Sequence, residues 1–156
     1  MLKAITRFFD SHLSAGDGES HTVDQLQLAT AALLIELSRT DNQVNENETR
    51  KILAILRERY DLPEADLEEL VTLAGQENKE ATSLYQFTSL INDRFDPREK
   101  SQLILNMWEV AYADGRIDRY EEHLIRKISE LLHLSHKDFI TGKQIARARA
   151  EKASNS

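Results

Sequence analysis

The sequence of 156 residues contains no cysteine, only two prolines and five glycines, and no long apolar run. Without cysteine, a disulfide framework, a thiolate metal site and a cysteine nucleophile are all excluded. A membrane helix needs about 20 consecutive apolar residues, and no run in this chain approaches that length. The N-terminal segment also lacks the long apolar stretch of a secretory signal. We therefore expect a single soluble domain with a cytoplasmic location.

Basic residues are in the minority, with 20 Lys and Arg against 27 Asp and Glu and a formal net charge of -7. Nucleic acids and anionic lipids attract proteins that present a basic face. The composition therefore disfavours nucleic-acid binding and makes cations or a basic protein the natural counterparts. We expect a protein partner, whose identity the sequence does not reveal.

Few helix breakers and a recurrent helical periodicity of apolar residues predict an all-α fold, a compact bundle of about seven to eight helices. The predicted helices span about 1–13, 23–40, 46–60, 63–75 and 81–93, followed by one that opens at Asp96, one over 119–132 and a last one from Ser135. Two of them carry clear start signals. Thr22 and Gln25 have the spacing of a capping box, and Asp96, Pro97 and Glu99 combine an N-cap, a first-turn proline and an acidic third position.

The segment 36–48 recurs as 109–121, at a distance of 73 positions. Each copy places an acidic turn between two predicted helices. The matched pairs include both acidic and apolar positions: Glu36 with Glu109, Asp41 with Asp114, Val44 with Ile117, Glu48 with Glu121 and Ile52 with Ile125. Recurrence in one register predicts an internal duplication, with repeat halves at about 23–75 and 96–147.

The second acidic turn resembles the latter half of a calcium-binding EF-hand loop. Asp114, Asp118 and Glu121 fall at the fifth, ninth and twelfth ligand positions of such a loop. The first and third positions are Val110 and Tyr112, so the two leading carboxylates are missing. An ordinary EF-hand is therefore not expected.

Helix capping is one interpretation of both acidic turns. Asp118 has the position of an N-cap, and Glu121 three residues later completes a capping box. Asn45 and Glu48 repeat this arrangement in the first copy. Each cap contributes about 1 kcal/mol, so stability alone would account for these four residues.

Cation binding is the second interpretation, because capping explains neither Glu36 and Glu109 nor the recurrence of Asp41 and Asp114. Clustered carboxylates repel one another, and a hard cation offsets that repulsion. Such a site has few protein ligands, so we expect weak affinity for Ca²⁺, Mg²⁺ or Mn²⁺, or coordination completed by water, a partner or a second protomer.

The pattern from Ala111 to Ile125, which is degenerate from Ser38 to Ile52, resembles the TerB-like family. That family covers bacterial tellurite-resistance proteins and a domain attached to certain membrane-bound co-chaperones. The resemblance spans about 23–146. It implies an all-helical, internally duplicated domain whose acidic residues are suspected of coordinating a divalent cation, in systems linked to tellurite, chemical stress, or phage and membrane surveillance.

The resemblance also implies which residues are metal candidates. They are Asp41, Glu48, Asp114, Asp118 and Glu121, with Glu36 and Glu109 as outer members. The first copy departs from the family pattern, since Asn42 replaces glycine, Asn45 replaces aspartate and Arg39 intrudes. A site in that copy is therefore expected to be weaker or purely structural.

The sequence shows no nucleophilic triad, phosphate-binding glycine loop or dinucleotide fingerprint, so we predict that the protein is not an enzyme. The five histidines form no recognised metal signature and are predicted to be scattered surface residues: His12, His21, His123, His133 and His136. The alternative is that His133 and His136 meet across a helix junction. The leading hypothesis is a non-catalytic TerB-like protein of the tellurite or chemical stress response with weak cation binding. The alternative is an interaction adaptor or scaffold whose acidic turns are only helix caps.

The domain organisation follows from these patterns. Residues 1–21 are predicted to form an amphipathic helix and a flexible linker, residues 22–150 the helical domain, and residues 151–156 a polar tail. The apolar face of Met1–Leu13 is expected to dock on the domain itself. A partner-binding arm and a membrane-surface helix are the alternatives.

Overall fold

A computed structural model describes residues 2–14, 20–37, 46–76, 83–113 and 119–154. Within these ranges the chain forms eight α-helices and no strand, which confirms the predicted all-α fold. The helices are α1 Leu2–His12, α2 Val23–Leu37, α3 Glu46–Arg59, α4 Glu64–Gln76, α5 Ser83–Arg94, α6 Pro97–Ala113, α7 Arg119–Leu131 and α8 His136–Ser154. None of the helices in the described ranges combines the length and apolarity needed to cross a membrane.

Side chains close the first turns of α2 and α6 as the sequence predicts. The Thr22 hydroxyl accepts from the Gln25 N–H at 3.0 Å, and the Gln25 side-chain oxygen accepts from the Thr22 N–H at 2.8 Å. Asp96 and Glu99 make the same reciprocal pair at 2.8 and 3.0 Å. Each pair satisfies two backbone donors that would otherwise lack a partner in the first turn.

Helix α6 lies at the centre of the described structure and packs against α2, α3, α7 and α8. Trp108 on this helix is fully buried, with its ring 5.2 Å from that of Phe139 on α8. Gly142 allows the close approach of α8, because a Cβ at this position would lie 3.2 Å from Trp108 Cδ1. The buried faces of α2, α4 and α5 complete the same hydrophobic core.

Helix α1 contributes to this core. Its residues Phe8 and Phe9, with Leu13 just beyond, are almost completely buried, and the Phe9 ring lies 5.1 Å from that of Phe87 on α5. Arg94 also pairs with Asp10 at 2.6 Å. The described part of the apolar face of the N-terminal helix is therefore covered by the chain itself.

Helices α2 and α6 run side by side in the same direction. Near their first turns, His21 bonds to Glu99, and near their middles the Asn106 amide donates to the Thr30 hydroxyl at 3.2 Å. The two contacts follow the same order along both helices. The C-terminal ends of α2 and α6 therefore point toward the same end of the bundle.

Helix starts also recur at the spacing of the sequence repeat. Helices α3 and α7 begin at Glu46 and Arg119, 73 positions apart, and α4 and α8 begin at Glu64 and His136, 72 positions apart. Helix α8 runs on to Ser154, further than expected for a polar tail from residue 151, and the Arg147–Glu151 pair at 3.2 Å supports its last turns.

Candidate functional site

The predicted metal candidates fall mostly outside the part of the chain that the structure describes. Asp41, Asp114 and Asp118 lie outside the described residues. Glu36, Glu48 and Glu121 belong to α2, α3 and α7, but their side chains lie outside the described part. Glu109 is therefore the one candidate whose side-chain contacts are known.

The described helices nevertheless locate the two acidic segments in the fold. The first follows the end of α2 at Leu37 and precedes α3, and the second follows the end of α6 at Ala113 and precedes α7. In the chain, residues 38–45 stand between α2 and α3, and residues 114–118 stand between α6 and α7. Because α2 and α6 run in the same direction, both segments leave from the same end of that helix pair.

Glu109 on α6 binds two arginines from different helices. Its Oε2 lies 3.3 Å from Arg59 Nη2 at the end of α3, and its Oε1 accepts from Arg149 Nη1 on α8. The carboxylate is only 15% exposed, so screening by solvent is reduced and both guanidinium groups offset its charge. Glu109 therefore joins α3, α6 and α8 through ion pairs. These ion pairs give a structural role to a residue that helix capping does not explain.

Tyr60 lies next to this ion-pair group. Burial raises the pKa of Tyr60 to about 12, the Arg59 charge lowers it in part, and the Glu109 charge raises it. Among the described residues its buried hydroxyl has no hydrogen-bond partner. Tyr60 thus remains a neutral, buried phenol beside a charged cluster.

His21 is buried, so its predicted surface location is wrong. Its Nδ1 lies 2.9 Å from Glu99 Oε2, its backbone N–H donates to the same oxygen at 2.7 Å, and its Nε2 lies 2.8 Å from the Leu13 carbonyl. The ring also stacks on Phe95 at 3.9 Å. Buried polar groups need such partners to offset desolvation, and these partners fix the start of α2 against α1 and α6.

A second histidine lies in a cluster that the sequence did not suggest. His12 at the end of α1 faces Asp66 and Glu69 on α4, with Nε2 at 3.0 Å from Glu69 Oε2 and Nδ1 at 3.7 Å from Asp66 Oδ1. One ligand atom from each of the three residues lies within 4.8 Å of the others. More than 50 positions separate the histidine from the carboxylates, so the only local signal was the three-residue spacing of Asp66 and Glu69, which places both on one helix face.

Comparison with known proteins yields one family. A family model described as Tellurite resistance protein TerB matches residues 27–144. No curated protein and no solved structure matches the chain. The matched range extends from the first half of α2 into α8 and includes both acidic segments.

Proposed function

Because the chain belongs to the tellurite resistance protein TerB family, we propose that it is a non-catalytic stress-response protein whose acidic segments bind a divalent cation weakly. The observation that carries this proposal is the recurrence of the acidic segment at 73 positions inside the matched range. The shared direction of α2 and α6 supports it, because both acidic segments follow helix ends that point toward the same end of the bundle.

The proposed ligands are oxygen donors. Asp41, Glu48, Asp114, Asp118 and Glu121 offer carboxylates alone, a set that suits Ca²⁺, Mg²⁺ or Mn²⁺. Each segment has few of them, so water or a partner protein completes the coordination and the affinity is low. Glu36 and Glu109 are outer members, and the pairing of Glu109 with Arg59 and Arg149 makes it a group that fixes the end of α6.

The non-catalytic role rests on the sequence, which has no signature of a nucleophile with its base or of a nucleotide-binding loop. The link to tellurite or other chemical stress rests on the family description. A cytoplasmic location is part of the same proposal. A protein partner is also expected, because weak cation binding does not by itself protect a cell against chemical stress.

A specific observation favours the alternative, an interaction adaptor whose acidic segments are only helix caps. This chain uses residue pairs three positions apart to close helix starts at Thr22–Gln25 and Asp96–Glu99. Asp118 and Glu121, like Asn45 and Glu48, have the same spacing. Capping therefore competes with cation binding for the same side chains.

Titration of the metal-free protein with Ca²⁺, Mg²⁺ and Mn²⁺ tests the proposal. Saturable NMR amide shifts centred on residues 114–121, with a cation-dependent rise in melting temperature, are expected. Asp114→Asn and Glu121→Gln should abolish that rise, while Glu130→Gln, an exposed change on α7, should retain it. Flat spectra at millimolar cation would favour the adaptor, for which any change in stability caused by these substitutions is the same with and without cation.

A further inference from the structure

We propose that His12, Asp66 and Glu69 form a binding site for a transition-metal cation of the Zn²⁺ class, which fastens α1 to α4. This site is independent of the proposed function, since it shares no residue with the acidic segments. It also uses different chemistry, because one of its three ligand atoms is nitrogen.

Two helices supply the three ligands. His12 occupies the last turn of α1, and Asp66 and Glu69 lie three residues apart in the first half of α4. Residues at this spacing are neighbours on a helix surface, so both carboxylates face the histidine ring. The two carboxylates approach different ring nitrogens: His12 Nε2 lies 3.0 Å from Glu69 Oε2, and Nδ1 lies 3.7 Å from Asp66 Oδ1.

The surrounding contacts hold the ligands in place before any cation arrives. Buried Phe8 and Leu13 fix α1 in the core on either side of His12, and the Phe8 ring lies 4.8 Å from the imidazole. Asp66 is fixed in the first turn of α4, where its N–H donates to the Pro63 carbonyl at 3.0 Å. Sites on such rigid elements lose less conformational entropy when a ligand binds.

The ligand atoms are close enough for one cation to join them. Metal–ligand bonds of about 2.0–2.2 Å place tetrahedral ligands about 3.4 Å apart, and the candidate atoms lie within 4.8 Å of one another. Because a cation binds only one ring nitrogen, side-chain rotations must bring both carboxylates to that nitrogen. Glu69 is free to make them, because its side chain is 47% exposed, against 19% for Asp66 and 28% for His12.

The donor set selects the class of cation. Imidazole binds Zn²⁺, Ni²⁺ and Cu²⁺ well, whereas Ca²⁺ and Mg²⁺ prefer oxygen alone. A neutral histidine with two carboxylates carries two negative charges, which a divalent cation neutralises. Three protein ligands leave one tetrahedral position for water, and the partial exposure of all three side chains allows water to reach it.

The competing explanation is an ion pair in which a protonated His12 lies between two carboxylates and no metal is needed. The two arrangements differ at one atom: a metal replaces the proton on one ring nitrogen. The nitrogen signals of the His12 imidazole therefore distinguish them directly.

The experiment adds Zn²⁺, and then Co²⁺ as a spectroscopic probe, to the metal-free full chain. Calorimetry should give one Zn²⁺ per chain, and the NMR signals of the His12 ring should shift in step with occupancy. Glu69→Gln should weaken Zn²⁺ binding roughly tenfold or more, and His12→Gln should abolish it. Co²⁺ should produce an absorption spectrum typical of four-coordinate geometry that is absent in His12→Gln.

Matched controls use neighbouring residues of the same type. Glu68→Gln removes the same charge one position away on α4, and His123→Gln removes an exposed histidine on α7, so both should keep wild-type affinity. A His12 ring that stays unshifted with Zn²⁺, or equal losses in the controls, would overturn the proposal. This test is independent of the test of the proposed function. The NMR amide shifts of residues 114–121 with Ca²⁺ report on the acidic segments, and the His12 ring signals with Zn²⁺ report on this site.

Discussion

Single buried polar residues in this protein differ in how well their hydrogen-bonding groups are satisfied. Glu99 accepts from the backbone N–H groups of His21 and Asp96, and its Oε2 lies 2.9 Å from His21 Nδ1, so its burial is compensated at every contact. Among the described residues, the buried Tyr60 hydroxyl and Trp108 Nε1 have no partner. An unsatisfied buried polar group costs about 1–3 kcal/mol, so each of these atoms lowers the free energy of unfolding.

Replacing Tyr60 with phenylalanine is expected to raise the free energy of unfolding by about 1 kcal/mol at neutral pH. The substitution removes the desolvation cost of a buried hydroxyl and breaks no hydrogen bond among the described residues. The substitution should also remove a pH dependence. The pKa of Tyr60 is raised from 10.0 to about 12, so between these values the unfolded chain loses its proton while the folded chain keeps it. Stability of the wild type therefore falls as pH rises through this window.

Urea unfolding of both proteins between pH 9 and 12 checks this prediction, since other titrating groups cancel in the difference. The advantage of Tyr60→Phe over the wild type should grow with pH. Tyr85→Phe, a change at a tyrosine that is 66% exposed, should track the wild type throughout. A loss of stability in Tyr60→Phe at neutral pH would show that the hydroxyl makes a bond with water or with a residue outside the described ranges.

At the scale of helices, local residue pairs determine where elements begin, and most of this was predictable. Capping boxes at Thr22 and Asp96 have three-residue spacing that is visible in sequence, and both form. The end of α7 was harder to predict from the sequence. His133 has a φ of 59° in a position that usually carries glycine, and nothing in its side chain signals that conformation.

Helix α7 ends in a Schellman motif. The Leu134 N–H donates to the Ser129 carbonyl and the His133 N–H to the Glu130 carbonyl, each at 3.0 Å. A residue with a Cβ pays about 1 kcal/mol for the left-handed conformation that this motif requires. His133→Gly should therefore raise stability by about 0.5–1 kcal/mol, measured by urea unfolding.

His123→Gly provides the matched control for this element. His123 is exposed in the interior of α7, where glycine is a poor helix former, so the same chemical change should lower stability by a few tenths of a kcal/mol. Opposite signs for the two substitutions are the expected outcome. A loss of stability in both would mean that His133 makes contacts that outweigh its backbone strain.

At the scale of the whole molecule, the sequence predicted the fold class and the family, because helical periodicity and a repeated motif are local signals. It did not predict which distant residues meet. The contact of His21 with Glu99 spans 78 positions and that of His12 with Glu69 spans 57. Such pairs depend on how the helices pack in the tertiary structure, which no local spacing encodes.

The packing of α1 leads to the last prediction, that the N-terminal helix unfolds together with the domain. The family match begins at residue 27, yet Phe9 on α1 is fully buried and contacts Phe87. Phe9→Ala should lower the free energy of unfolding by about 3–5 kcal/mol. Tyr85→Ala removes an exposed aromatic side chain from α5, the helix that Phe9 contacts, and should cost far less.

Two probes distinguish cooperative from independent unfolding of α1. Far-UV circular dichroism follows all the helices, and the fluorescence of Trp108, the single tryptophan, follows the α6–α8 core. If α1 belongs to one cooperative unit, the two urea transitions coincide in the wild type and move together in Phe9→Ala. A circular dichroism transition that precedes the fluorescence transition would instead show that α1 leaves the core first, and the Zn²⁺ proposed at His12 would then delay that early step alone.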